Sequence, residues 1–170
     1  DLDGTLIDSA KDIQWVANKA LSEIGATPIS YEEAVSFIGE GAPHFVKKMI
    51  VARSIESSKH DFLLEQFLKF YENAVQFTEP YENVVPILEI LNSRHALGLC
   101  TNKPLKPALK ILKHLKLDHF FKCITGGDSS FGRKPDPSPL LNTSASVGDG
   151  LCIYVFDSEV DAENDKRDDV

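Results

Sequence analysis

The chain opens Asp1-Leu2-Asp3-Gly4-Thr5. Two carboxylates one residue apart, followed by glycine, make a tight turn that can aim both acids at one point. Such a pair can converge on a hard cation, which takes oxygen ligands, and taken singly reads as a surface acidic turn. A D-x-D-G run also opens calcium loops, but an EF-hand loop needs further oxygen ligands and a Glu at its twelfth position. Here that position is Asp12, leading into an apolar stripe of helical spacing. Three further polar groups stand on loops. Thr101-Asn102-Lys103-Pro104 offers a hydroxyl, an amide and backbone N–H groups to an anion, and taken singly reads as a helix N-cap. Gly132-Arg133-Lys134-Pro135-Asp136-Pro137 holds a cation beside prolines, and taken singly reads as a solvated lysine. Asp157-Ser158-Glu159-Val160-Asp161 places carboxylates at i and i+4, one face of a helix if a helix starts there, and otherwise a solvated face.

These groups need elements to hold them. Ile13, Val16, Ala17, Ala20, Leu21 and Ile24 recur at helical spacing, with Asp8 or Ser9 as cap and Gly25 with Pro28 as stop. Ser30-Tyr31-Glu32-Glu33 is a capping box. Gly39-Glu40-Gly41 breaks the chain, and Pro43 opens a third helix through Phe45, Val46, Met49 and Ile50. A fourth carries Leu63, Phe67, Phe70, Tyr71 and Ala74. Trp15 and the Phe-rich fourth helix are expected in the core, and His44 is expected to be packed or on the surface. Residues 10–78 thus read as helices without a strand.

After Pro80 the pattern alternates. A helix with Pro86 in its first turn precedes a short apolar run, 96–100, that ends at Thr101. A helix through Ala108, Leu109, Leu112 and Leu115 precedes the run Cys123-Ile124-Thr125, which ends at Gly126-Gly127-Asp128. Pro135, Pro137 and Pro139 punctuate a loop, residues 142–146 are poor helix formers, and 151–156 is expected to be a last buried strand ending at Asp157. Strands alternating with helices predict an α/β fold with a Rossmann-like parallel sheet. Ligands bind such sheets at the carboxyl ends of strands, where Thr101, Asn102, Asp128 and Asp157 fall.

Composition narrows the field. The chain has 170 residues, 18 basic against 26 acidic, and a formal net charge of -8. That balance argues against a nucleic-acid surface, which needs clustered Lys and Arg. No stretch reaches the roughly 18 apolar residues of a membrane span. No basic segment with an apolar one opens the chain as a signal peptide does. The three cysteines, Cys100, Cys123 and Cys152, form no C-x-x-C pair, and those in apolar runs are expected to be buried thiols. A cytoplasmic location is expected. The chain starts at Asp1 without a Met and stops after the Asp157 motif, which predicts a piece of a longer protein.

Asp, Thr, Lys and Asp in this order at strand ends resemble the four motifs of the haloacid dehalogenase superfamily. The wording resembles its phosphoglycolate phosphatase branch: Asp1-Leu2-Asp3-Gly4-Thr5-Leu6-Ile7-Asp8-Ser9, Thr101-Asn102-Lys103-Pro104, Gly126-Gly127-Asp128-Ser129 with Arg133-Lys134-Pro135-Asp136-Pro137, and Asp157-Ser158-Glu159-Val160-Asp161-Ala162-Glu163. The resemblance spans nearly the whole chain. It implies a discontinuous α/β core, 1–11 and 79–170, with a small all-helical cap domain, 12–78, inserted after the first motif. It implies a phosphomonoesterase working through an aspartyl-phosphate, with 2-phosphoglycolate as the first substrate to expect.

In that reading Asp1 is the nucleophile and Asp3 the general acid and base, and Lys134 steadies charge on nucleophile and phosphate. Thr101, Asn102 and Lys134 bind the phosphoryl group. A Mg²⁺ ion is implied, held by the Asp1 carboxylate, the Asp3 backbone carbonyl and the Asp157 carboxylate. Asp161 orients Lys134 or a metal-bound water, with Ser158 beside it in the same motif. Gly39, Glu40 and Gly41 form the cap loop facing the phosphate, or a plain helix–helix turn. The implied partner is a small phosphorylated metabolite, with no nucleic acid or membrane, and the implied assembly is a monomer or homodimer. Phe156 stands where the family usually has Gly, and its ring is expected to crowd the loop or move Asp157. The alternatives are another small-phosphate hydrolase or phosphosugar mutase of the superfamily, or a non-catalytic binding protein that retains the fold.

Overall fold

The computed structural model describes residues 1–157. Ser158 and Asp161, expected to support the site, lie outside the described residues. The elements run β1 (Ile7–Asp8), α1 (Ala10–Ser22), α2 (Tyr31–Phe37), α3 (Ala42–Ala52), α4 (His60–Tyr71), β2 (Glu79–Pro80), α5 (Val84–Asn92), β3 (Leu97–Cys100), α6 (Leu105–His114), β4 (Phe121–Thr125) and α7 (Ser138–Val147).

Local signals set the first four helices. The Asp8 carboxylate accepts the Ala10 N–H at 3.1 Å, while the Ser9 hydroxyl is spent elsewhere. Ser30 and Glu33 close the predicted capping box at the start of α2. The stripe of α1 buries Ile13, Val16, Ala17, Ala20 and Leu21 against Phe45, Val46 and Met49 of α3 and Leu63 and Phe67 of α4. Trp15 falls off that stripe. It is 43% exposed, with Lys19 over its ring, so its expected place in the core is corrected.

A second cluster gathers Leu2, Ile7, Val84, Leu88, Leu99, Ala108, Ile111 and Leu112. Buried members of the first cluster lie between residues 13 and 74, and those of the second at 2, 7 and from 84 to 120. Two linkers join the clusters and are zipped together. β1 and β2 pair antiparallel, Ile7 with Pro80 and Asp8 with Glu79. Buried Asp12 accepts the Gln76 and Phe77 N–H groups at 3.2 and 3.0 Å and the Thr78 hydroxyl at 2.6 Å.

β3 and β4 pair in parallel, as predicted, with Cys100 opposite Thr125. α7 packs on both strands. Its residues are poor helix formers, and the loop expected around Pro139 is instead its first turn. Tertiary contacts override the propensity. The Asp136 carboxylate accepts the Ser138 N–H at 2.8 Å, and the buried Thr143 hydroxyl donates to the Pro139 carbonyl at 2.7 Å. Residue 98, being glycine, leaves room on β3 for Thr143 and Val147.

The expected last strand does not form among the described residues: 151–157 has no regular structure, and Leu151 and Ile153 are 95% and 81% exposed. Asp1 donates its N–H to the Val155 carbonyl at 2.9 Å, but no ladder follows. Of the cysteines, Cys100 is buried, Cys123 half-buried and Cys152 exposed, which corrects the expectation for Cys152.

Candidate active site

The first turn places Asp1 and Asp3 in one cleft with Thr101 and Asn102, below Gly39 and Gly41 of the helical half. Gly4, with φ of 87°, carries the turn in the left-handed region. Its N–H donates to the Ile7 carbonyl at 3.0 Å, and the N–H groups of Leu6 and Ile7 converge on the Leu2 carbonyl.

Lys134 comes to Asp1 from the proline loop. Its Nζ lies 2.9 Å from Asp1 Oδ1, and its side chain is 2% exposed. The same ammonium donates to the Tyr154 hydroxyl at 2.9 Å and reaches the Cys100 carbonyl at 3.5 Å. A buried cation this close to a carboxylate is a fixed charge beside Asp1, not a solvated surface lysine.

Asp3 is held separately. Its Oδ1 accepts from the Ser9 hydroxyl and, at 2.9 Å, from Lys103 Nζ. Lys103 also donates to the Tyr71 hydroxyl at 2.5 Å. The sequence reading missed both Lys103 and Tyr71 as site groups. The available signals were a lysine inside the Thr101 motif and a polar tip at the end of an apolar helix stripe.

Thr101 is buried at the end of β3. Its hydroxyl accepts the Lys103 N–H at 3.2 Å, and its own proton has no acceptor among the described residues. That proton is available to an anion. The Asn102 side chain has a different task. Its Nδ2 donates to the Gly39 and Lys134 carbonyls at 3.0 Å each, and its Oδ1 accepts the Lys134 N–H at 2.9 Å. The amide braces the lysine loop, so an anion contact at Asn102 falls to its backbone. Asp128 accepts the Leu105 N–H at 2.8 Å and so caps α6 instead of lining the cleft.

Within the expected cap loop, Gly39 and Gly41 line the cleft. A Cβ on Gly41 would stand 3.0 Å from the Asn102 carbonyl oxygen, so glycine permits this approach. Glu40 instead pairs with Lys48 at 2.7 Å, and that hydrogen bond lowers its carboxyl pKa. His44 is exposed.

Asp157 lies against the first turn. Its Oδ1 accepts from the Thr5 hydroxyl at 2.6 Å, and a Cβ on Gly4 would fall 2.1 Å from Oδ2. The space that a side chain at residue 4 would fill is occupied by this carboxylate. The Phe156 ring packs beside Tyr154, centroids 5.3 Å apart, and Asp157 still reaches the turn. No group of three His, Cys, Asp or Glu side chains able to hold a metal gathers among the described residues. The implied set is different in kind, two carboxylates and a backbone carbonyl. These are hard oxygen donors that fit a hard divalent cation, and the Gly4 cradle brings one of them to the turn.

Comparisons with known proteins show the family. The model of the haloacid dehalogenase-like hydrolase family matches residues 1–170. A phosphoglycolate phosphatase of Cereibacter sphaeroides is 40% identical over 166 residues, covering 95% of this chain and 76% of the relative. One from Aquifex aeolicus is 36% identical over 171 residues, covering 98% and 78%. The crystal structure of a predicted phosphoglycolate phosphatase from Haemophilus somnus superposes with a TM-score of 0.78 at 29% identity, covering 85% of this chain and 68% of that one. The chain belongs to the haloacid dehalogenase-like hydrolases, on the phosphoglycolate phosphatase branch. Its activity class is phosphoric monoester hydrolysis. Phosphatases of this family generally use a divalent metal. No helix among the described residues is long and apolar enough to cross a membrane.

Proposed function

We propose that the protein is a cytoplasmic, Mg²⁺-dependent phosphatase that hydrolyses 2-phosphoglycolate to glycolate and phosphate through an aspartyl-phosphate on Asp1. The observation that carries the reading is the pairing of buried Lys134 at 2.9 Å with Asp1, which itself lines one cleft with Asp3 and Thr101. The names of the relatives support the substrate.

Asp1 attacks phosphorus through a carboxylate oxygen, and the bond to the leaving oxygen breaks. Lys134 steadies charge on Asp1 and on the phosphoryl group, and the Thr101 hydroxyl donates to a phosphoryl oxygen. Asp3 gives a proton to the leaving glycolate oxygen, then takes one from the water that cleaves the acyl-phosphate. Ser9 and Lys103 fix the rotamer of Asp3 for both transfers. The Asp1 and Asp157 carboxylates and the Asp3 carbonyl would hold Mg²⁺, which when bound offsets the repulsion between nucleophile and phosphate. Helices α1 to α4 act as the cap: they shut over the cleft, exclude water and select small substrates.

The test is phosphate release from 2-phosphoglycolate and a panel of phosphomonoesters, with Mg²⁺ and with EDTA. Mg²⁺-dependent release strongest for phosphoglycolate is expected. Release from other esters alone moves the substrate and leaves the chemistry. No release from any, by folded protein, overturns the reading.

A further inference from the structure

Lys103 is a cation whose part in the phosphoryl chemistry uses one of its bonds, the one to Asp3. Its side chain is fully buried, 0% exposed, although it lines the cleft. An ammonium carries three protons. One goes to Asp3 at 2.9 Å and one to the Tyr71 hydroxyl at 2.5 Å, and the third has no partner among the described residues. Tyr71 is buried at the end of α4, with Lys103 Nζ 4.3 Å from its ring centroid. Its hydroxyl accepts from Lys103, and its own proton has no acceptor among the described residues. Burial, then the charges of Asp3 and Asp12, raise this phenol well above its ordinary value of 10.0, so the proton stays on oxygen.

Two unspent donors therefore stand side by side in one cleft. The cleft wall beyond them is Ile13, Phe37, Ile38, Phe45 and Phe67, none of which can accept a hydrogen bond through its side chain. Lys103 carries the cationic side chain of this lining; no other does among the described residues. A buried donor left unmade is costly, which favours an incoming acceptor. An anion with two oxygens suits an ammonium and a hydroxyl together. Lys103 is bonded to Asp3, the group assigned to the leaving oxygen, whereas the phosphoryl group belongs with Asp1 and Lys134. The anion at Lys103 is therefore on the leaving-group side.

We infer that Lys103 and Tyr71 together bind a carboxylate on the leaving group, and so select α-carboxylate phosphomonoesters over neutral ones. This rests on the phosphatase reading above and deepens it. It also joins the two halves of the molecule, because Tyr71 comes from the helical half and Lys103 from the loop between β3 and α6. A substrate carboxylate across them ties the cap to the core only when the right leaving group is present.

The test compares kcat/KM for 2-phosphoglycolate with that for ethyl phosphate, which replaces the carboxylate by a methyl group. The ratio is measured in the unmutated enzyme, in Tyr71→Phe and in Lys103→Met, all with Mg²⁺. Lys103→Met also strips a partner from Asp3 and slows both substrates, so the ratio is the readout. The unmutated enzyme is expected to favour phosphoglycolate. The ratio is expected to fall roughly 10- to 100-fold in Lys103→Met, the scale of a lost hydrogen bond to a charged group. In Tyr71→Phe, which keeps the ring, it should fall by about 3- to 10-fold. If Lys103→Met does not fold, Tyr71→Phe decides alone. A clear preference in the unmutated enzyme that survives both substitutions overturns this inference and leaves the substrate reading standing. Absence of any preference in the unmutated enzyme overturns both.

Discussion

Asn102 grips Lys134 by both sides of the lysine's own backbone. Its Nδ2 donates to the Lys134 carbonyl at 3.0 Å, and its Oδ1 accepts the Lys134 N–H at 2.9 Å. The remaining Nδ2 proton goes to the Gly39 carbonyl in the helical half. One side chain thus sets where the ammonium beside Asp1 stands and ties that placement to the loop above the cleft.

Asn102→Ala removes the grip and leaves Lys134 in place but loose. The expected result is a kcat roughly 100-fold lower, the scale of a misplacement of about 1 Å. The loss of stability should be about 1–3 kcal/mol, from backbone groups left unpaired. Steady-state kinetics and urea unfolding on the same preparation separate the two effects.

Gly4→Ala puts a methyl group where the Asp157 carboxylate lies and forces a left-handed φ on an alanine. Asp157 must move away from the turn. The expected outcome is a requirement for roughly 10- to 100-fold more Mg²⁺ to reach half-maximal activity, the usual cost of disturbing a metal's supporting groups. A Mg²⁺ titration of phosphate release reads it directly.

Asp12 ties the outgoing linker to the returning one through Gln76, Phe77 and Thr78. Asp12→Ala leaves two N–H groups and a hydroxyl without their acceptor in a buried place. The variant should lose about 3 kcal/mol. Hydrogen exchange should show the loss spread over 76–80, where the helical half joins the core.

Glu33 gives a pH signature to the helical half. Its carboxyl sits at about 2 instead of 4.5, chiefly because the Arg53 guanidinium donates to it, and then because the Ser30 N–H does. A depressed carboxyl stabilises the folded state fully above 4.5, and that contribution disappears as pH falls from 4.5 towards 2. Tm should therefore fall more steeply across this window in the unmutated protein than in Arg53→Met. Parallel slopes would show that the ion pair contributes nothing measurable.

Helices α1 to α6 and the four motifs were legible because their signals are local. The stripe of α1, the Ser30 capping box and the order of Asp1, Thr101, Lys134 and Asp157 need no knowledge of distant residues. What stayed hidden depends on contacts far apart in the chain. β1 and β2 are two residues each and exist because residues 7 and 80 meet. α7 reads as a loop until packing on β3 and β4 is known. The run 151–156 has a strand's composition, yet composition supplies no partner for its backbone. Asn102 looked like a phosphate ligand by position, but its amide is consumed by Gly39 and Lys134. Lys103 looked like part of a motif's wording until Tyr71, 32 residues earlier, closed over it.

The most direct test of the account is to quench the enzyme during turnover of 2-phosphoglycolate and locate the phosphoryl group by mass spectrometry. The account predicts it on the Asp1 carboxylate in the unmutated protein, with neither label nor phosphate release in Asp1→Asn. Phosphate release by Asp1→Asn at the unmutated rate, or a label on another residue, would contradict it.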